Sequence, residues 1–166
     1  HDTPRLASRK GEEVLAKMLS VFNLFLPNTV PFLNSGQEVF EKQPMNTGID
    51  CDSESAKVLP ESDPLYGKLA LFDRYSLHYL HPRRWEMIET LESANKIRQD
   101  LLPILLKPTK IIPLGFSAPW DLAAGFAYPQ KGKITLVIAN TDCAEDKVHF
   151  VKLSDCPDST KKAGVV

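Results

Sequence analysis

The stretch "LPNTVPFLNSGQE" (residues 26–38) decides how the rest of the chain is read. It opens on Pro-Asn, runs through an apolar segment at 30–33, and closes on Asn-Ser-Gly, so turn chemistry brackets a short hydrophobic core. A short apolar run between turn signals fits a buried strand. A long helical pattern lies just before it, and a strand entered from a helix is expected to pair in parallel. Helix, tight turn and buried strand together make half of a βα repeat.

Working outward, residues 9–26 carry Val14, Leu15, Met18, Leu19, Phe22, Phe25 and Leu26 at helical spacing, with Lys10, Glu12, Glu13 and Lys17 on the other side. This predicts an amphipathic helix with Ser8 as N-cap and Pro27-Asn28 as its stop. Beyond the strand, residues 39–64 lose all periodicity and are expected to form a long loop without core residues. Loops of that length are functional or disordered far more often than mere connections. Residues 68–80 are read as a helix. A further helix is expected over 82–102, presenting Trp85, Ile88, Leu91, Ala94, Ile97 and Leu101 as its buried face, with Pro103 and Pro108 at and beyond its end.

After Pro108 the texture changes. "KIIPLGFS", "WDLAAGFAY", "KITLVIAN" and "KVHFVKL" are short β-rich runs, and "YPQKGK" between two of them signals a hairpin. The chain is therefore read as two regions: α/β material over 1–105 and a partial antiparallel β domain over 106–166.

Composition narrows the function classes. With 166 residues, 43% hydrophobic and 25% charged, the chain has the make-up of a globular protein. A net charge of −1 gives no electrostatic reason to expect nucleic acid or an anionic membrane as partner. No run approaches the ~18 apolar residues of a membrane helix. Cys51, Cys143 and Cys156 are odd in number and lack CxxC spacing, which argues against a disulfide framework or zinc site and for a reducing, cytoplasmic setting.

The residues able to do chemistry cluster at two places. His1 and Asp2 would stand at the C-terminal end of a strand feeding the first helix, the rim where α/β folds build their sites. An imidazole beside a carboxylate offers donors and acceptors to vicinal hydroxyls. The same pair also reads as a solvated chain end. Glu38, Lys42, Gln43 and Asn46 follow the next strand and so are expected on the same rim; as solvated loop residues around a Gly36 turn they have a plainer account. His78 and His81, three apart, lack a third ligand type, so no metal is expected. Tyr75, Tyr79 and Trp85 are read as core or interface aromatics.

The ordered set of "HDTPR", an amphipathic helix, "LPNTVPFLNSGQE", a loop, and a long helix containing "SANKIRQDLLP" resembles the C-terminal part of the alpha-amylase superfamily of glycoside hydrolases and transferases. "NSGQEVFEKQPMNTGIDCD" and "GKLALFDRYSLHYL" are most similar to bacterial maltosyltransferases. The resemblance covers residues 1–105 well and the β region loosely.

It implies the end of a (β/α)8 TIM barrel, from the close of the seventh strand to the last helix, followed by the start of an antiparallel β-sandwich. It implies a retaining enzyme moving maltosyl units between α-1,4-glucans (maltodextrins), in which Asp2 stabilises the oxocarbenium-like transition state and His1 binds the same sugar. Arg5, Glu38, Lys42 and Gln43 are its expected substrate-binding residues. The nucleophile and the acid/base, about 5–5.5 Å apart in retaining enzymes, fall upstream of this sequence. The chain is therefore expected to be an inactive fragment, without cofactor or calcium of its own, from a parent that can be oligomeric. Hydrolysis instead of transfer is the near alternative. A non-catalytic sugar-binding module, with Trp120, Phe126 and Tyr128 as an exposed platform, is the alternative of another class.

Overall fold

A computed structural model describes residues 3–9, 12–46, 48, 54–78, 81–116 and 122–152. His1, Asp2, Cys51, Tyr79, Trp120 and Cys156 lie outside the described residues. The chain mixes helix and strand: helix α1 (Glu12–Asn23), helix α2 (Arg84–Leu106), and strands β1 (Ile112–Pro113), β2 (Gly115–Phe116), β3 (Ala123–Gln130), β4 (Lys133–Asn140) and β5 (Val151–Lys152). Contacts divide it into two compact units, 1–20 with 32–93 and 21–31 with 94–166.

In the first unit the core joins Ala7, Ala16 of α1, Phe40 and Met87 of α2, with Leu6 and Leu91 packed against them. Ala16 and Ser20 are the buried positions of α1, while Val14 is 48% exposed. The buried line thus follows small residues rather than the large apolar ones expected from periodicity, because small side chains admit close approach. Ser8 does not cap this helix. It ends a 3-10 turn (Leu6–Ser8), and its hydroxyl donates to the Arg5 carbonyl at 2.9 Å. An ion chain ties α1 to the start of α2: Lys17 Nζ donates to Glu86 at 2.7 Å, and Arg83 bridges Glu86 and Glu13.

The expectations for the middle of the chain need correction. Residues 30–33 pair with no strand among the described residues, and Val30 and Phe32 are 90% and 80% exposed. Pro31 in the middle lacks a donor, and no strand among the described residues lies alongside the run. The 39–64 loop does contribute core: Val39, Phe40, Glu41, Gln43 and Leu59 are buried. Residues 68–78 form turns and irregular backbone, not helix. The Ala70 and Leu71 amides donate to the Pro44 and Met45 carbonyls at 2.9 and 3.0 Å. These tertiary bonds replace the local ladder.

In the second unit β3 and β4 pair antiparallel from Ala123↔Asn140 to Gln130↔Lys133, closed by a two-residue turn in which Gly132 has φ 78°. The order is β1-β3-β4, with β2 and β5 forming a separate two-stranded sheet. The hairpin expected from sequence is present, and every described strand pair is antiparallel. Phe126 packs on Phe22 with ring centroids 5.5 Å apart, and Tyr128, 1% exposed, donates its hydroxyl to the Phe25 carbonyl at 2.9 Å. Burial pushes the Tyr128 phenol up to about 12. These two aromatics face inward and make no platform for a sugar.

The later part of α2 supplies Ala94, Arg98 and Leu105 to this unit's interior. Arg98 donates to the Leu24 carbonyl, and the Asn28 amide donates to the Leu105 carbonyl at 2.8 Å, satisfying a helix-end acceptor. The helix thereby continues through Pro103, where sequence placed its end.

Candidate functional site

The turn beginning at Gly36 organises the site. Gly36 adopts φ 94° and starts a 3-10 turn (Gln37–Val39), which Phe40 closes in the left-handed region at φ 57°. A bulky residue there is disfavoured by roughly 1–2 kcal/mol, and Phe40 is kept in place by burial at 2% exposure. The Gly36 carbonyl accepts from both Val39 and Glu41 amides, and Glu38 folds back to accept the Gly36 amide at 2.9 Å.

Arg5 fastens the N-terminal segment to this turn. Its Nε donates to the Gln43 carbonyl at 2.6 Å and its Nη1 to the Ser35 carbonyl at 2.7 Å, with Nη2 on Met45 Sδ at 3.2 Å. A buried guanidinium that donates to two carbonyls and a thioether sulfur in three directions acts as a clamp. Between the two segments lies a cavity of about 190 Å³ lined by Thr3, Pro4, Arg5, Leu6, Ala7, Arg9, Ala16, Asn34, Gln37 and Glu41. Hydroxyl, amide, guanidinium and carboxylate groups on an otherwise apolar wall can take a ligand rich in hydroxyls.

Of the residues singled out from sequence, Arg5 lines this cavity. Glu38 is spent on the turn itself. Lys42 reaches Glu12 at 3.0 Å near the surface. Gln43 has no exposure, and its amide donates to the Arg74 and Lys68 carbonyls at 2.7 and 3.3 Å. Its role in the structure is to brace the 68–74 turns.

Sequence reading passed over Thr3, Asn34, Gln37 and above all Glu41. Glu41 is 2% exposed and accepts from the Lys42 and Gln43 amides at 2.8 Å each, and from the backbone amide and ring of His78 at 2.7 Å each. Its place directly after an apolar Val-Phe pair was the one available signal, since a carboxylate there must be satisfied if the pair is buried. His81 meets Glu13 at 2.7 Å and His78 meets two carboxylates, so both rings are engaged by acidic side chains; no group of His, Cys, Asp and Glu suited to a metal ion occurs among the described residues. Tyr75 and Trp85 are 46% and 59% exposed and do not form core; Tyr75 meets the Ser35 hydroxyl at 3.0 Å and the Arg84 guanidinium lies over Trp85.

No helix among the described residues is long and apolar enough to cross a membrane. No protein-family model matches this chain, and no curated protein matches it either.

Proposed function

We propose that this chain is part of a cytoplasmic, retaining α-1,4-glucan-active enzyme resembling the alpha-amylase superfamily, with transfer of maltosyl units as its reaction. One observation supports this reading beyond the motifs. The residues directly after His1-Asp2 and the Asn-Ser-Gly-Gln turn share the wall of a single polar-edged cavity. The resemblance places those same two segments on one substrate-binding rim of the barrel. Arg5 and the Gly36 turn hold that wall by bonds internal to the protein, which leaves Thr3, Asn34 and the Arg9 nitrogens other than Nε, which donates to the Pro4 carbonyl at 3.4 Å, for hydroxyl contacts.

In this reading Asp2 grips the sugar's hydroxyls and favours the positive charge that develops in the transition state. The attacking carboxylate and the acid/base come from elsewhere in the parent enzyme, so this chain alone transfers nothing.

The test is incubation of the parent with maltotetraose and analysis of product lengths. Chains growing and shrinking together in maltose steps are the expected result, lost by at least about 10²-fold in the Asp2→Asn parent, the scale of one transition-state contact. Free maltose or glucose without elongation would replace transfer by hydrolysis. No turnover of any α-glucan would end the reading.

A further inference from the structure

His78 stands between two carboxylates brought from distant parts of the sequence. Its ring Nδ1 lies 2.7 Å from Glu41 Oε1, and its Nε2 lies 2.9 Å from Asp63 Oδ2. An ionised carboxylate only accepts, so both contacts are hydrogen bonds only when both ring nitrogens carry protons. A neutral imidazole carries one. The two-sided arrangement therefore belongs to the imidazolium, and proton loss must turn a lone pair toward one of the carboxylates.

The surroundings decide which end gives way. The Glu41 side chain is fully buried and is held by three backbone amides, those of Lys42, Gln43 and His78 itself. The Asp63 side chain keeps 18% of its surface in solvent and can regain water. The tautomer protonated on Nδ1 keeps Glu41, leaving Nε2 to repel Asp63. Asp63 in turn organises residues 60–68: its Oδ1 accepts from the Leu65 amide at 2.8 Å, its own amide donates to Pro60, and Tyr66 donates back to its carbonyl.

We propose that His78 is a proton-operated latch: charged, it holds the 60–68 turns against the Glu41 turn, and neutral, it lets the Asp63 end go. This stands apart from the glucan reading and needs no substrate.

The charges acting on the ring are Glu41 and Asp63. The other charged groups on the neighbouring segments are engaged or exposed. Lys42 is on Glu12, His81 on Glu13, Arg5 on the Ser35 and Gln43 carbonyls, and Asp73 on the Leu69 amide, while Glu61, Lys68 and Arg74 are exposed. Burial alone would lower the His78 pKa, and Glu41 and then Asp63 outweigh it, leaving it above the ordinary 6.5. A raised value means the latch contributes fully below pH 6.5 and is lost as pH rises through the folded-state value.

The experiment is NMR titration of the full chain labelled with 15N-histidine, with His78→Gln for assignment, alongside hydrogen exchange of the Leu65–Lys68 amides. Expected is a His78 midpoint above 6.5, the Nδ1-protonated tautomer beyond it, and about tenfold faster exchange of those amides there after correction for intrinsic rates. In Asp63→Asn the midpoint falls by about 1 unit, the low end of the usual effect of a paired charge, and the extra exchange disappears. This partly buried substitution keeps an acceptor for Leu65. An unchanged midpoint in Asp63→Asn, an Nε2-protonated tautomer, or exchange that ignores the His78 titration would overturn the latch.

Discussion

Gly36 answers to two separate constraints. Its φ of 94° lies where side chains are disfavoured, and a Cβ built on it would meet Glu41 Cβ at 2.7 Å and Leu77 Cδ2 at 2.9 Å. The second contact is the end of a side chain and can yield; the first is anchored to the backbone of a buried residue and cannot yield cheaply. Gly36→Ala is therefore expected to lose about 1–2 kcal/mol for the backbone and about 1–3 kcal/mol for overpacking. Urea unfolding reads the sum, and a loss under about 1 kcal/mol would show that the turn rearranges. The glycine was visible in the sequence as a turn. Its contact with Glu41 was not, because spacing says nothing about what a turn folds back upon. Glu41, Asp63 and His78 lie 22 and 15 residues apart along the chain, and no local pattern joins them.

The elements show the same division between local and distant causes. The β3–β4 hairpin was legible because its turn, its alternation and its pairing all sit within 18 residues. The segment at 30–33 has a strand's composition, yet a strand needs neighbours in a sheet, and no described strand is paired with it. Over 68–78 the apolar residues suggested helix, but the amide donors found carbonyls at Pro44 and Met45 first. In α2 the helix was evident, and its inward face was legible in part, at Ala94 and Leu91. Met87, Leu91, Ala94, Arg98 and Leu105 follow helical spacing toward the interior, a stripe that hydropathy disguises because it includes a buried arginine. Trp85 and Ile97, chosen for their size, face solvent. A paired experiment separates the two faces. Met87→Ala, at 0% exposure, is expected to cost about 2–5 kcal/mol. Trp85→Ala should cost no more than about 1 kcal/mol, the scale of its exposed contact with Arg84. The reverse order in thermal unfolding would restore the face inferred from hydrophobicity.

For the molecule as a whole, a net charge of −1 offers little repulsion between copies, while Val30, Phe32, Val148 and Phe150 are 70–90% exposed. Large apolar side chains at such exposure favour association when charge is low. Light scattering of the chain is expected to rise with concentration, and Phe32→Glu with Val148→Glu to suppress it; equal scattering by the variant would place the cause elsewhere. The division into units has a consequence for how the polypeptide comes together. Each unit is assembled from two stretches interleaved along the chain, 1–20 with 32–93 and 21–31 with 94–166. During synthesis the opening residues must wait for Met87 to emerge before their apolar surface is covered, and residues 21–31 wait longer still for β3. No single scission of the polypeptide can separate the two units with each keeping all of its pieces.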